Sequence, residues 1–261
     1  MTAEPGSIID LNADLGEAAD PAGRGVEDAL IGLVSSVNIA CGGHAGDDDT
    51  LRRVLDRAAA LGCAVGAHPS YPDRAGFGRV RVAMSASDLT DSLAEQIGRL
   101  ERLARTAGAA VTHVKPHGAL YHDCGDSEAI ARAVLDAARR VMDRPELVGA
   151  AGSAAVAWWS RWGAATLGEG FVDRRYGADG RLRPRSEAGA LIGLPAEAGR
   201  QAVEIAMRGR ALAADGSWVA VSARTLCVHA DSPGAVEIAR RVRMDLEAAG
   251  VRVGRVDRTE N

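Results

Sequence analysis

Short apolar runs alternate along the chain with longer segments in which apolar residues return every three or four positions. The runs at residues 8–11, 34–40, 63–67, 110–114, 147–150, 218–221, 226–228 and 251–253 predict strands. The segments 48–61, 87–107, 128–141, 196–208 and 234–249 predict amphipathic helices between them. Local signals agree with these bounds. Asp47 to Asp49 can cap the first of these helices, and Ser232 before Pro233 sets a capping hydroxyl ahead of a proline at a first helical position. Gly62, Gly108 and Gly250 follow three helix ends, where a left-handed residue commonly stops the helix. Seven or eight β/α units without internal repetition predict an α/β fold. Its expected form is a parallel (β/α) barrel of seven or eight strands, irregular or incomplete, rather than a doubly wound open sheet, and the pattern does not decide closure. Residues 171–193 break the rhythm with four Gly, one Pro and five Arg, and are read as a binding loop.

Composition narrows the class. A chain of 261 residues with 47% apolar and 25% charged residues can bury a full core, and residues 1–261 are expected to form one barrel domain. The net charge of -4 gives no basic footprint, so neither nucleic acid nor an anionic membrane is expected as a partner. The opening MTAEPGSIIDLN has no basic segment leading into an apolar one, and no apolar run reaches the ~18 residues of a membrane span, so a cytoplasmic location is expected. Cysteines at 41, 63, 124 and 227 are too sparse for a disulfide scaffold and are read as reduced thiols, with Cys41 and Cys227 as buried filler. Among 31 basic residues Lys115 is the one lysine. A compact, tunable ammonium can serve where guanidinium cannot.

Chemistry-bearing residues gather where predicted strands give way to helices, the face that carries active sites in parallel α/β folds. Asn12, Asp14 and Glu17 lie in DLNADLGE, His44 and Asp47 in NIACGGHAGD, and His68 in GAHPSYPDR. Lys115 and His117 lie in HVKPHGALY, Asp173 and Arg174 follow a strand leading into EGFVDRRY, and His229 ends TLCVHAD. Any one of these has an ordinary structural reading as a cap or a packed histidine. Six distant segments converging on one rim favour a site.

Several site types are disfavoured. CGGHAGD has neither the P-loop spacing nor the dinucleotide fingerprint, so the chain alone is not expected to bind ATP. No GxSxG elbow is present. His113 and His117 are four apart, but Pro116 and the missing Glu argue against an HExxH helix. His44, His68, His117 and Asp14 still supply ligand types for a divalent metal, which stays open as an alternative.

DLNADLGE, NIACGGHAGD, GAHPSYPDRAGFGR, HVKPHGALY, FVDRRYGADGRLRPRSEAGA and TLCVH, in this order, resemble the LamB/YcsF family, and the likeness covers nearly the whole chain. The chain departs from the expected pattern at Gly43, where a bulkier residue usually precedes the histidine, and at Ala230, where glycine commonly follows it. The resemblance implies a barrel of the glycoside hydrolase/deacetylase type. It also implies a component of an ATP-dependent 5-oxoprolinase, opening the lactam of 5-oxoproline to L-glutamate with two partner subunits, through which the ATP is used. On that reading Asp14 or His117 is the general base, Lys115 stabilises developing negative charge, and His44 and His68 orient groups or donate protons. Arg74, Arg79, Arg174 and Arg185 are the candidates for holding a substrate carboxylate, with Asn12, Glu17, Asp173 and His229 beside them. The alternatives are a stand-alone metal-dependent deacetylase or amidohydrolase, and a non-catalytic subunit that captures the substrate.

Overall fold

The computed structural model describes residues 7–256. In chain order its strands are β1 (Ile8–Leu15), β2 (Ser36–Ala40), β3 (Ala64–His68), β4 (Val111–Val114), β5 (Glu146–Ala150), β6 (Ala165–Phe171), β7 (Arg210–Leu212), β8 (Trp218–Ala220), β9 (Thr225–His229) and β10 (Arg252–Val253). Its helices are α1 (Pro21–Ile31), α2 (Asp48–Leu61), α3 (Ala86–Thr106), α4 (Gly118–Asp126), α5 (Glu128–Val141), α6 (Ala154–Arg161), α7 (Pro195–Arg208) and α8 (Ala235–Ala248). Among the described residues β1 to β6 run side by side in parallel, and β9 pairs with both β6 and β1. The sheet therefore closes into a seven-stranded parallel barrel.

Alternation along β1 shows how sequence builds this barrel. Leu11, Ala13 and Leu15 are fully buried in the shell between barrel and helices. Asp10, Asn12 and Asp14 point the other way, because successive side chains leave opposite faces of a strand. Asn12 Nδ2 crosses the interior to Glu169 Oε1 at 3.0 Å, and Asn38 Nδ2 reaches Asn12 Oδ1 at 2.8 Å. The barrel is thus lined with hydrogen-bonded polar groups, and its apolar core lies outside it. On α2, Leu51, Val54 and Leu55 face that shell with no exposure, and truncating such a leucine costs about 2 to 5 kcal/mol.

Two predicted strands form but lie outside the barrel, and two other expectations are corrected. Residues 218–221 do not enter the barrel, since β8 pairs antiparallel with β7 in a hairpin that sets Leu212 opposite Trp218. The run at 251–253 yields only β10, which pairs with the start of β1. The capping hydroxyl at Ser232 is spent elsewhere: α8 begins after Gly234, at φ 74°, and Ser232 Oγ donates to Asp173 Oδ2 at 2.6 Å. Cys227 is more than filler, since its Sγ lies 3.3 Å from Lys115 Nζ. The Asp47 cap and the left-handed Gly62 stop are as read, with Thr50 N donating to Asp47 Oδ1 at 2.8 Å.

Residues 171–193 carry no helix or barrel strand beyond Phe171 itself, yet they are tied down by bridges from Arg174 to Leu191 and from Tyr176 to Leu182. All four cysteines are free. No helix among the described residues is long and apolar enough to cross a membrane.

Candidate active site

Strand register assembles the site at the C-terminal end of the barrel. Asp14 sits opposite Asn38 on β2 and opposite His229 on β9, while His68 pairs in register with Ala40. Beyond the end of β4 the chain stays against its neighbour, with Lys115 N donating to Ala67 O at 2.9 Å and His117 N to Pro69 O at 2.8 Å. This extension carries both side chains over the barrel mouth.

At the centre, Lys115 Nζ lies 2.8 Å from Asp14 Oδ1 and 2.8 Å from Glu169 Oε1. Cys227 Sγ is 3.3 Å away and Asn12 Oδ1 3.4 Å. Burial alone would discharge the lysine, but the carboxylates of Asp14 and Glu169 outweigh it and hold its pKa well above the ordinary value. Burial likewise opposes ionisation of Asp14, yet His68 and Lys115 keep that carboxyl well below its usual range. Burial pushes the Cys227 thiol far up, so it stays protonated. Glu169 also accepts from Tyr121 Oη at 2.8 Å, and burial together with Glu169 raises that phenol well above its ordinary value.

Beside this group three histidines surround Glu17. Its Oε1 lies 3.0 Å from His44 Nε2, 3.3 Å from His117 Nδ1 and 3.7 Å from His68 Nε2. The His44 and His117 rings stack at 3.7 Å and 4°. Burial pushes the His44 pKa down to about 4. Burial of Glu17 is outweighed by His117 and His44, which hold its carboxyl well below the usual range. The backbone here is fixed from behind, because Glu17 N and Ala18 N both donate to the buried Glu27 carboxylate, at 2.8 and 3.0 Å.

A second pair stands on the opposite wall. His229 Nδ1 is 3.0 Å from Asp173 Oδ1, and the ring stacks on Phe171 at 5.7 Å. Burial would raise the Asp173 pKa, but His229 and Ser232 bring it to about 2. Burial would lower that of His229, and Asp173 raises it instead.

The five residues read as catalytic, Asp14, His44, His68, Lys115 and His117, therefore lie together, with Asn12, Glu17, Asp173 and His229 against them. The arginines divide. Arg185 forks onto Asp231, and Arg79 reaches the same carboxylate at 3.0 Å while lying over the Phe77 ring. Arg174 Nη2 is used by Arg183 O at 2.7 Å, and exposed Arg74 bonds the carbonyls of Gly42 and Gly46. Sequence reasoning missed Glu169, Tyr121 and Cys227. An acidic residue in the alternation Leu167, Glu169, Phe171 was the available signal for the first of them.

Chemically, the arrangement offers a carboxylate base beside a fixed ammonium, and a donor set suited to a cation. Among the described residues two groups bring metal-ligating atoms within 4.8 Å of one another, Glu17 with His68 and His117, and Asp14 with Cys227 and His229.

The LamB/YcsF family model matches residues 9–261. A protein of Methylococcus capsulatus, named as a subunit of 5-oxoprolinase, is 46% identical over 94% of each chain. Its namesake from Nocardia farcinica is 46% identical over 93% of this chain and 97% of its own. The crystal structure of a lactam utilization protein from Thermus thermophilus superposes with a TM-score of 0.87 at 40% identity, covering 94% of this chain and 98% of that one. With a family match over nearly its whole length and relatives this similar, the chain belongs to the LamB/YcsF family.

Proposed function

We propose that this chain is the barrel subunit of a cytoplasmic, ATP-dependent 5-oxoprolinase, which opens the lactam of 5-oxoproline to L-glutamate together with two partner subunits. The relatives named as subunits of 5-oxoprolinase, and the lactam utilization protein with the same fold, support the substrate class. The observation that carries the reading to chemistry is the buried Lys115 ammonium clasped between Asp14 and Glu169.

Amide resonance makes a lactam carbonyl a poor electrophile, so ring opening near neutral pH needs activation. The chain has no P-loop, and the activation comes from ATP used through the partners. At this site a water adds to the carbonyl carbon and gives its proton to Asp14, already ionised beside Lys115. Lys115 stabilises the negative charge that develops on the carbonyl oxygen. The C–N bond then breaks, the ring nitrogen takes up a proton to become the amine of glutamate, and the phosphoryl group that the partners moved from ATP to the lactam oxygen leaves as phosphate when a second water hydrolyses the acyl phosphate. Arg185 and Arg79, at the rim, receive the substrate carboxylate in place of Asp231.

The test is 5-oxoproline turnover by this chain alone and by the chain with both partners, each with and without ATP. Turnover is expected only with partners and ATP. Activity of the isolated chain without ATP overturns the reading in favour of a stand-alone amidohydrolase.

A further inference from the structure

We infer that Glu17, His68 and His117 form a binding site for one divalent transition-metal ion of the zinc class. Their hydrogen-bond partners fix which ring nitrogens carry protons. His68 Nδ1 lies 2.7 Å from the carbonyl oxygen of Lys115, and His117 Nε2 lies 2.9 Å from that of Phe77. A carbonyl can only accept, so both nitrogens are N–H donors. In the neutral rings the other two nitrogens, His68 Nε2 and His117 Nδ1, are then bare lone pairs. These lone pairs face each other at 3.0 Å.

Two acceptors at that distance repel unless a cation lies between them, either a proton that makes one ring an imidazolium or a metal ion bound by both. Carboxylate oxygens sharpen the demand, because Glu17 Oε1 is 3.3 Å from His117 Nδ1 and Asp14 Oδ2 is 3.3 Å from His68 Nε2. With bonds of about 2.0 to 2.1 Å, two ligand atoms of a tetrahedral zinc ion stand about 3.3 Å apart. The separations of 3.0, 3.3 and 3.7 Å among the three ligand atoms scatter around that value. A histidine that donates its second ring N–H to a backbone carbonyl is also the usual support of a metal-ligating imidazole.

Backbone strain is spent on the same feature. Phe77 has φ 56°, a left-handed conformation unusual for a bulky residue, and its carbonyl is the one that fixes His117. Next to it Gly78 has φ 66°, and a Cβ there would come within 2.9 Å of both His117 and His44. His44 directs Nε2 at Glu17, while its Nδ1 is buried with no partner. It positions the carboxylate from the far side.

Charge favours a cation as well. Asp14 and Glu169 share the Lys115 ammonium, while the ion pairs of Glu17 among the described residues are all to histidines, so a divalent ion there meets a carboxylate that no lysine or arginine pairs with. The other donor set, Asp14, Cys227 and His229, is a poorer candidate. Lys115 Nζ already touches both Asp14 and Cys227, and an ammonium and a metal ion cannot share that position. A metal at Glu17 would supply Lewis acidity at the barrel mouth, next to Asp14.

The experiment uses the full chain without a histidine tag, stripped with a chelator and titrated with Co(II) and then with Zn(II). Expected are one equivalent of Co(II), visible absorption of low-symmetry nitrogen and oxygen ligation without a thiolate charge-transfer band, and displacement by Zn(II). His117→Gln and Glu17→Gln should lose the absorption while circular dichroism reports an intact fold. If those variants fail to fold, the wild-type spectrum decides alone. A folded wild type that takes up neither ion overturns the inference, and so does a thiolate band, which assigns the metal to Cys227. Because lactam turnover is not read, this outcome and that of the 5-oxoproline assay are separable.

Discussion

Lys115 on the β4 extension and Glu169 on β6 meet at 2.8 Å inside the barrel, and their contact joins two walls that are separated by β5. Glu169 is fully enclosed, accepting also from Asn12 and Tyr121. Removing its charge leaves the ammonium leaning on Asp14 alone, with one buried donor less well matched. Glu169→Gln is therefore expected to lower kcat by roughly a hundredfold or more and stability by about 1 to 3 kcal/mol. Turnover by the assembled enzyme and urea unfolding of this chain check the two effects. Wild-type kcat in the variant would remove Glu169 from the chemistry.

The rim arginines separate by what already occupies them. Arg185 and Arg79 share the exposed carboxylate of Asp231, which a substrate carboxylate can replace at little cost, since such surface pairs contribute under about 1 kcal/mol. Arg74 is held by two backbone carbonyls of the β2–α2 loop. Arg185→Met should raise KM for 5-oxoproline at least about tenfold with little change in kcat, corresponding to loss of a charge-assisted pair. Arg74→Met should leave KM unchanged. Equal effects of the two substitutions would place carboxylate recognition elsewhere.

The Asp173–His229 pair makes stability depend on pH in a defined direction. Lowering of the Asp173 pKa from 3.8 to about 2 corresponds to roughly 2 kcal/mol, present above the unfolded value and lost as pH falls through the folded one. The His229 pKa is raised above 6.5, so its share is complete below 6.5 and is lost as pH rises through the folded value. The pair contributes most between about pH 4 and 6.5. Urea unfolding of wild type and His229→Gln should differ most near pH 5.5, with the gap narrowing at pH 9. A gap independent of pH would show that the imidazole is not charged in the fold.

Helix bounds were readable because amphipathic periodicity and capping chemistry agree: α2 and α5 span the predicted residues, and α3, α7 and α8 differ by a residue or so. Other elements were hidden by composition. α1 reads PAGRGVEDALI, and its proline and two glycines mask a helix that Asp20 caps through Ala22 N and Gly23 N. β6 reads ATLGEGF, whose glycines and glutamate are poor strand formers, so a strand leading into EGFVDRRY is predicted but its bounds are not. It forms because β5 and β9 flank it on both sides. Closure was not legible, since pairing of β9 with both β1 and β6 is a long-range fact that no local pattern encodes. The five proposed catalytic positions were legible because each follows a predicted strand in a parallel fold, although Asp14 and His68 lie inside the observed ends of β1 and β3. Glu169 sits within a strand, and Ser232 mimics a cap, so the rules that found the rest passed over one and misassigned the other.

Gly66 tests whether the polar lining of the barrel holds the site from below. It lies on β3 facing inward, and a Cβ added there would stand 2.1 Å from His113 Nε2. That nitrogen is 2.9 Å from Asn38 Oδ1, and Asn38 Nδ2 in turn donates to Asp14 Oδ1 at 2.8 Å. A methyl group at position 66 must push the imidazole off Asn38, because neither backbone nor ring can occupy the same space. Gly66→Ala is expected to cost about 1 to 3 kcal/mol as an overpacked interior and to lower kcat while leaving KM nearly unchanged. Pairing it with His113→Ala removes the obstructing ring, so the double variant should recover part of the loss that Gly66→Ala alone inflicts. Strict additivity of the two substitutions in unfolding and turnover would mean that His113 and Asn38 do not transmit position to Asp14.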